Sequence, residues 1–389
     1  MFKTDKFCHV SDRKIINPKI EGITATVTNY SKLLFQKFRV ASWKHQSYKN
    51  EPLASKSASL SAAFMNYLDE QMKLEALDNG SQYEEQPRRD LPDSCMEQIK
   101  TSLNNRYIIL NRLGSGSVGV VLKAFDTYTR KHVAVKCMCK TKFNFMHLTR
   151  DRLMGSVPSE VQILSKISHR NIVKFVEFRQ DSVFFYVITD CPSEQDLFDL
   201  IEKCYPNLSE FRMKNIFRQI VEAVKFLHDS NYVHRDIKDE NILLDENDQV
   251  YLIDFGFSKK IPVSSDQMFQ EQCGTPHAMA PEIWRKFPHR GVEQDVWSLG
   301  VLLYTLAFGQ PPFEETNHIL VGRIRPTTTD RKELMSLIRS MLEPDLKRRI
   351  RIDEILSHRW LSSRAFSEDS GSDVSYEQEF DELISFYTV

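Results

Sequence analysis

The chain reads as a two-lobed α+β fold, a small β-rich lobe followed by a larger helical one with a cleft between them. Two observations lead there. Between about 105 and 190, short apolar runs are separated by turn residues; beyond 190 the hydrophobic spacing lengthens to a helical period. The length of 389 residues allows one domain of about 250 residues with flanking segments.

The elements follow in chain order. Residues 1–56 hold eleven Lys/Arg against four Asp/Glu, and residues 57–97 reverse the balance with three against nine. Residues 1–104 are therefore expected to be an N-terminal extension, largely disordered, with one helix over 59–78. There Leu60, Phe64, Tyr67, Leu68 and Met72 recur at helical spacing and Asn79-Gly80 supplies a stop. That helix either docks on the main domain or binds a partner whose identity the sequence leaves open. The runs RYIILNRLG, VVLKAFD, HVAVKCM and VFFYVIT are predicted strands, whereas FRMKNIFRQIVEAVKFLHDS (211–230) repeats Ile216, Ile220, Val224 and Leu227 on one helical face. The main domain spans 105–362. An acidic tail, 363–389, is expected to be mobile, although Phe380, Leu383, Ile384 and Phe386 offer docking groups.

Bulk properties exclude several classes. A formal net charge of −1 gives no electrostatic reason to expect a nucleic-acid partner. Seven cysteines without a C-x-x-C pair fit neither a disulfide framework nor a zinc ribbon, so a reducing, cytoplasmic setting is expected, with the nucleus as a second compartment. The longest apolar stretch, 296–309, is too short to cross a bilayer, so no transmembrane segment is expected.

Chemistry begins at GSGSVGVV, with Gly114, Gly116 and Gly119 after a strand. Glycines let a hairpin close over a polyanion and present N–H groups to phosphate oxygens; alone, the pattern is as well explained by a structural turn. Lys136, 17 residues beyond Gly119 in VAVK, would place an ammonium under the same phosphates. Glu160, before an apolar V-x-I-L face, can pair with it from a helix rather than remain a solvated charge. YVHRDIKDENILL then puts Asp236, Lys238 and Asn241 in one short loop, and YLIDFG adds Asp254 at a strand end. Two carboxylates, an amide and a lysine converging on a glycine loop supply charge neutralisation, positioning and a proton acceptor, as phosphoryl transfer requires.

With these motifs in order, residues 105–362 resemble the eukaryotic protein kinase catalytic domain. The resemblance implies ATP and Mg²⁺ as cofactors and protein Ser/Thr hydroxyls as acceptors, since Lys238 two places after Asp236 is the Ser/Thr form of the loop. It assigns Lys136 to the α/β-phosphates with Glu160 as its partner. Asn241 and Asp254 fall to Mg²⁺, Asp236 to the acceptor proton and Lys238 to the γ-phosphate. Leu113, Gly114, Ser115, Gly116 and Gly119 would cover the phosphates. Val121, Ala134 and Leu243 would sandwich the adenine, and Thr189, Asp190 and Pro192 would form the gatekeeper and hinge. Glu282 should pair with Arg349, and Asp295 should anchor the catalytic loop.

PHRGVEQDVWSLGVLLYTLAFGQPPF and ILSHRWL are similar to the calcium/calmodulin-dependent kinase group, and HRDIKDENI with RGVEQDVWSLG to PAS-domain kinases. Residues 1–104 lack the alternating strands of a PAS sensor, and the acidic tail is unlike a calmodulin-binding helix. Asp196 and Glu240 imply basic residues before the acceptor hydroxyl, unless both are ordinary surface acids. In FQEQCGTPHAMAPE, Glu271 stands where a phosphorylatable residue is usual and Ala278 where an aromatic is usual. A Glu271 contact with Arg235 is expected to support basal activity by partial mimicry of a phosphate. Ser264, Ser265 and Thr275 are candidate phosphosites, with Thr275 better suited to positioning the catalytic loop. Met279 is a candidate to fill the space left by Ala278. The competing readings are a pseudokinase scaffold, which would show damage in the lysine or either aspartate, and a small-molecule kinase.

Overall fold

A computed structural model describes residues 55–77, 91–116, 118–142, 148–151, 155–264, 267–327 and 330–362. The expectations for the basic arm, the Asn79-Gly80 stop, Ser265 and the acidic tail lie outside the described residues.

Helix α1 (Ser55–Leu77) and helix α2 (Asp93–Ser102) precede the sheet. Strands β1 (Tyr107–Ser115), β2 (Gly119–Asp126) and β3 (Lys131–Cys139) follow. A small hairpin, β4 (Leu148–Asp151) and β5 (Gly155–Pro158), leads into helix α3 (Ser159–Leu164), and β6 (Phe175–Gln180) and β7 (Phe184–Asp190) complete the lobe. The main sheet has the order β1-β2-β3-β7-β6 and is antiparallel throughout. Strand β6 is one that periodicity missed, because its residues are half-buried on both faces rather than alternating.

Strand β3 shows how one sequence serves two faces. Val133, Val135, Cys137 and Cys139 join a cluster with Phe64, Leu68, Cys95 and Ile99 from α1 and α2. The intervening residues turn the other way: Met138 packs with Val157 and Val161 at α3, and Lys136 meets Glu160. Period-two alternation therefore puts a helical cover on one side of the strand and the charged site on the other.

The helical lobe is assembled around α4 (Leu197–Cys204), α5 (Glu210–Asp229), α6 (Pro281–Trp284), α7 (Val292–Phe308), α8 (Thr316–Val321), α9 (Lys332–Met341), α10 (Ile352–Ser357) and α11 (Arg359–Ser362). Ser209 caps α5 by accepting the Arg212 N–H, so the helix begins one residue before the predicted 211. Its predicted face, Ile216, Ile220, Val224 and Leu227, is fully buried. The apolar stretch 296–309 lies within α7 and at Gly309, whose φ of 65° ends the helix. Among the described residues no helix is long and apolar enough to cross a membrane. Three short two-stranded pieces, β8 (Tyr232–Val233) with β11 (Lys259–Lys260) and β9 (Ile242–Leu244) with β10 (Val250–Leu252), plus β4 with β5, stand outside the main sheet.

Candidate active site

The site lies where the inward face of β3 meets the loops around β8 to β10. Lys136 Nζ is 2.9 Å from Glu160 Oε2 and 2.7 Å from Asp254 Oδ1. Glu160 Oε1 also accepts the Phe255 N–H at 3.3 Å, tying α3 to the segment after β10. Burial alone would lower the Lys136 pKa, but the two carboxylates outweigh it and raise the value. Asp254 moves the other way: burial opposes ionisation, yet Lys136 holds its carboxyl down at about 2. Glu160 is raised by burial and by the neighbouring Asp254 charge. One cation thus faces two carboxylates.

Asp254 sits at φ 58°, a left-handed conformation that costs a non-glycine residue about 1–2 kcal/mol. Its side chain accepts the Gly256 N–H at 3.2 Å, which holds the turn. Arg235 is likewise left-handed at φ 68°. There Asp295, fully buried, accepts the His234 and Arg235 N–H groups at 2.9 and 2.7 Å, so the expected anchor of the catalytic loop is in place.

Asp236 is positioned from two sides. Its Oδ1 accepts both the N–H and the hydroxyl of Thr275 at 2.7 Å. The Asn241 amide nitrogen reaches the Asp236 carbonyl at 2.8 Å and its Oδ2 at 3.1 Å, leaving the amide oxygen available to a cation. Lys238, raised because Asp236, Glu240 and Asp254 outweigh its burial, stands beside them. Thr275 is buried, which suits positioning better than modification. Gly274 is required by the same contact: at φ 98° any Cβ would lie 2.5 Å from the Arg235 carbonyl oxygen.

Residues predicted to take a nucleotide stand on the sheet beside the Lys136 cluster. Val121 pairs with Lys136 across β2–β3, and Ala134 with Thr189 across β3–β7. Val121, Ala134, Thr189 and Leu243 are each half-buried, as cleft walls should be. The three glycines divide by cause. A Cβ on Gly119 would strike the Cys137 carbonyl oxygen at 2.0 Å, so close strand approach demands it. A Cβ on Gly114 or Gly116 would meet nothing within 4 Å, and neither has a positive φ. Protein packing therefore does not explain them, whereas close approach to a phosphate would. The backbone of the predicted hinge is constrained in one respect. The Cys191 N–H is spent on the His132 carbonyl at 3.3 Å and Pro192 has no N–H, so these two residues offer a base only carbonyl oxygens.

A Mg²⁺ ion fits this donor set. It prefers hard oxygen ligands, commonly one or two carboxylates together with substrate phosphates, and the surplus carboxylate charge around Lys136 attracts a cation. Among the described residues no three His, Cys, Asp or Glu side chains form a self-sufficient metal cage, so Asp254 and Asn241 would share the ion with phosphate oxygens.

The second charged cluster lies in the activation segment. Glu271 Oε1 is 2.8 Å from Arg235 Nη1 and 2.6 Å from Lys259 Nζ. Burial works against this carboxylate, but the two cations hold it down at about 2. Arg235 also donates to the Phe257 carbonyl at 2.8 Å and stacks over Phe269 at 4.5 Å. Lys259 was not foreseen; only a pairing across β8–β11 brings it to Glu271. Gln294 was missed as well, although its amide bridges the Arg235 and Cys273 carbonyls at 3.1 and 3.2 Å. Glu282 and Arg349 form the expected buried bidentate pair at 2.8 and 3.0 Å.

Ala278 borders a cavity of about 30 Å³, enough for one water, between α4, the catalytic loop and α7. Leu302, Thr305 and Phe198 are among its lining groups, and Met279 is not, so the suggested compensation does not occur. Above it, Asp196 caps α4 by accepting the Asp199 N–H at 2.8 Å, and burial with nearby acids raises its pKa to about 6. Glu240 Oε2 is buried without a hydrogen-bond partner among the described residues.

Comparisons with known proteins agree with this geometry. A family model described as the protein kinase domain matches residues 107–361. The chain is 36% identical over 263 residues to serine/threonine-protein kinase PSK1 of Saccharomyces cerevisiae, covering 66% of this chain and 19% of that protein. It is 37% identical over 258 residues to the PAS domain-containing serine/threonine-protein kinase of Mus musculus, covering 66% and 18%. With NUAK family SNF1-like kinase 1 of Mus musculus it shares 36% identity over 270 residues, covering 68% and 40%. The matched region is thus about a fifth of the length of the first two relatives. With residues 107–361, about two thirds of its length, matched by that family model, the chain belongs to the protein kinase domain family.

Proposed function

We propose that the chain is an ATP- and Mg²⁺-dependent protein serine/threonine kinase. The observation that carries this is the Lys136–Glu160–Asp254 contact, formed in the same structure as an Asp236 held by Thr275 and Asn241. Lys136 would bind the α/β-phosphates, and the loop over Gly114 and Gly116 would cover them and exclude water. Asp236 would orient the acceptor hydroxyl and take its proton, while Lys238 steadies the transferring phosphate. Mg²⁺ at Asp254 and Asn241 would neutralise charge building on the phosphate oxygens. Phosphate transfer to a Ser/Thr peptide library by wild type and Asp254→Ala separates this from a scaffold; equal activity in the two would sink the mechanism.

Two finer readings belong to the same proposal. Asp196 and the unpaired oxygen of Glu240 favour substrates with basic residues before the acceptor. The Glu271 bridge to Arg235 and Lys259 supports basal activity without an upstream kinase; a role in intracellular signalling in the cytoplasm is part of the same proposal. Loss of preference for basic peptides in Glu240→Gln, and of basal rate in Glu271→Ala, are the respective tests.

A further inference from the structure

Residues 55–77 and 91–103 precede the segment that matches the family, yet they are built into the small lobe. Phe64 is fully buried with its ring centroid 4.8 Å from that of Phe184, and Tyr67 and Leu68 close the same cluster over the outer face of the sheet. Helix α2 is fastened by Gln98 and Ser102, which donate to Asp181 at 2.9 and 2.6 Å. These contacts alone would make the segment a structural cover.

A polar contact from α1 reaches further. The Arg112 guanidinium donates from Nη1 to the Tyr67 hydroxyl and to Gln71 Oε1, the latter at 3.1 Å. Gln71 is a buried amide on a helix whose Oε1 accepts from Arg112, while its Nε2 has no hydrogen-bond partner among the described residues. Arg112 is the residue immediately before Leu113, Gly114 and Ser115. The β1–β2 ladder shifts register between Arg112 and Gly114, a bulge just before the last two pairs of the strand, Gly114 with Val121 and Ser115 with Val120. Beyond it, Gly114 and Gly116 have open space around them. A bulge bends its strand, so the side chain held at it helps to aim the loop that follows.

We infer that α1 is a positioning element for the glycine-rich loop, acting through Tyr67 and Gln71 on Arg112. The inference rests on the nucleotide-binding reading of that loop. It predicts that breaking the clamp weakens the grip on ATP while leaving the catalytic floor of Asp236 and Asp254 intact.

The experiment uses the full chain with a Ser/Thr peptide and measures KM for ATP, kcat and melting temperature. The variants are Tyr67→Phe/Gln71→Leu, Arg112→Met and the triple combination. KM for ATP should rise about fivefold in the double variant with kcat changed less than about twofold. The triple variant should be no worse than Arg112→Met, because both act on one contact. Asp69→Asn, which removes the helix's 2.7 Å ion pair with Lys142 away from the loop, should leave both constants unchanged. An unchanged KM in the clamp variants, multiplying effects in the triple, or an equal KM rise in Asp69→Asn would overturn the inference. Wild type that fails to bind Mg·ATP would instead overturn the nucleotide reading, and this inference with it.

Discussion

The two charge clusters are inversions of each other. In the cleft one ammonium, Lys136, stands between two carboxylates, Glu160 and Asp254; in the activation segment one carboxylate, Glu271, stands between two cations, Arg235 and Lys259. The first has surplus negative charge and is suited to recruit a metal ion. The second has surplus positive charge, and a carboxylate satisfies only part of what a phosphate would. The same Coulombic rule therefore favours opposite guests at two sites that are linked where Arg235 donates to the Phe257 carbonyl, three residues after Asp254.

The largest effect is expected where the cleft cluster is broken. Asp254→Ala should reduce peptide phosphorylation by about 10³-fold or more, because the carboxylate proposed to hold the metal is lost while Lys136 keeps Glu160. Retention of full rate in a peptide kinase assay would break the inversion at its first member. The second member is tested by Glu271→Ala. It leaves a fully buried Arg235 side chain without its counter-charge, and kcat should fall about tenfold with a loss of about 2 kcal/mol in stability. Glu271 has its carboxyl lowered to about 2, below the ordinary 4.5, so its contribution is complete above pH 4.5 and is lost as pH falls towards 2. The melting-temperature difference between wild type and Glu271→Ala should stay constant between pH 5 and 8.

A third acidic group sharpens the contrast, because Asp196 is held up at about 6 by burial and by Asp199, Glu240 and Glu202 rather than held down by cations. Its charge is therefore gained as pH rises through 6. KM for an arginine-containing peptide should fall about threefold between pH 5.5 and 7.5, and Asp196→Asn should flatten that slope. A flat profile in wild type would remove Asp196 from substrate recognition. The smallest effect concerns Ala278, at the border of the cavity. Ala278→Val adds two methyl groups beside Leu302 and Thr305 and should stabilise the protein by about 1 kcal/mol, read as a higher melting temperature. A lower melting temperature would mean the cavity is too constrained to fill.

Much of the site was legible in the sequence because its chemistry is concentrated in short runs. HRDIKDEN places Asp236, Lys238 and Asn241 within six residues, and the turn that holds them is local. The Glu271–Arg235 contact was inferred across 36 residues only through the resemblance to a known family. Lys259, Gln294 and the Arg112 clamp were not legible, since each depends on a pairing between distant segments that leaves no spacing pattern. Helix α2 went unread because Cys95 and Ile99 are too sparse to announce a face, and their burial is decided by the sheet beneath them.

The sequence by itself determined the lobes, the order of motifs and the identities of the charged groups, because hydrophobic period and covalent neighbourhood are local properties. Tertiary structure alone decided that α1 covers the sheet and reaches Arg112, that Met279 leaves the space beside Ala278 empty, and that each charge cluster has its particular surplus. The physical reason is that burial and Coulombic balance depend on distances between segments far apart in the chain, which folding sets and no local pattern records.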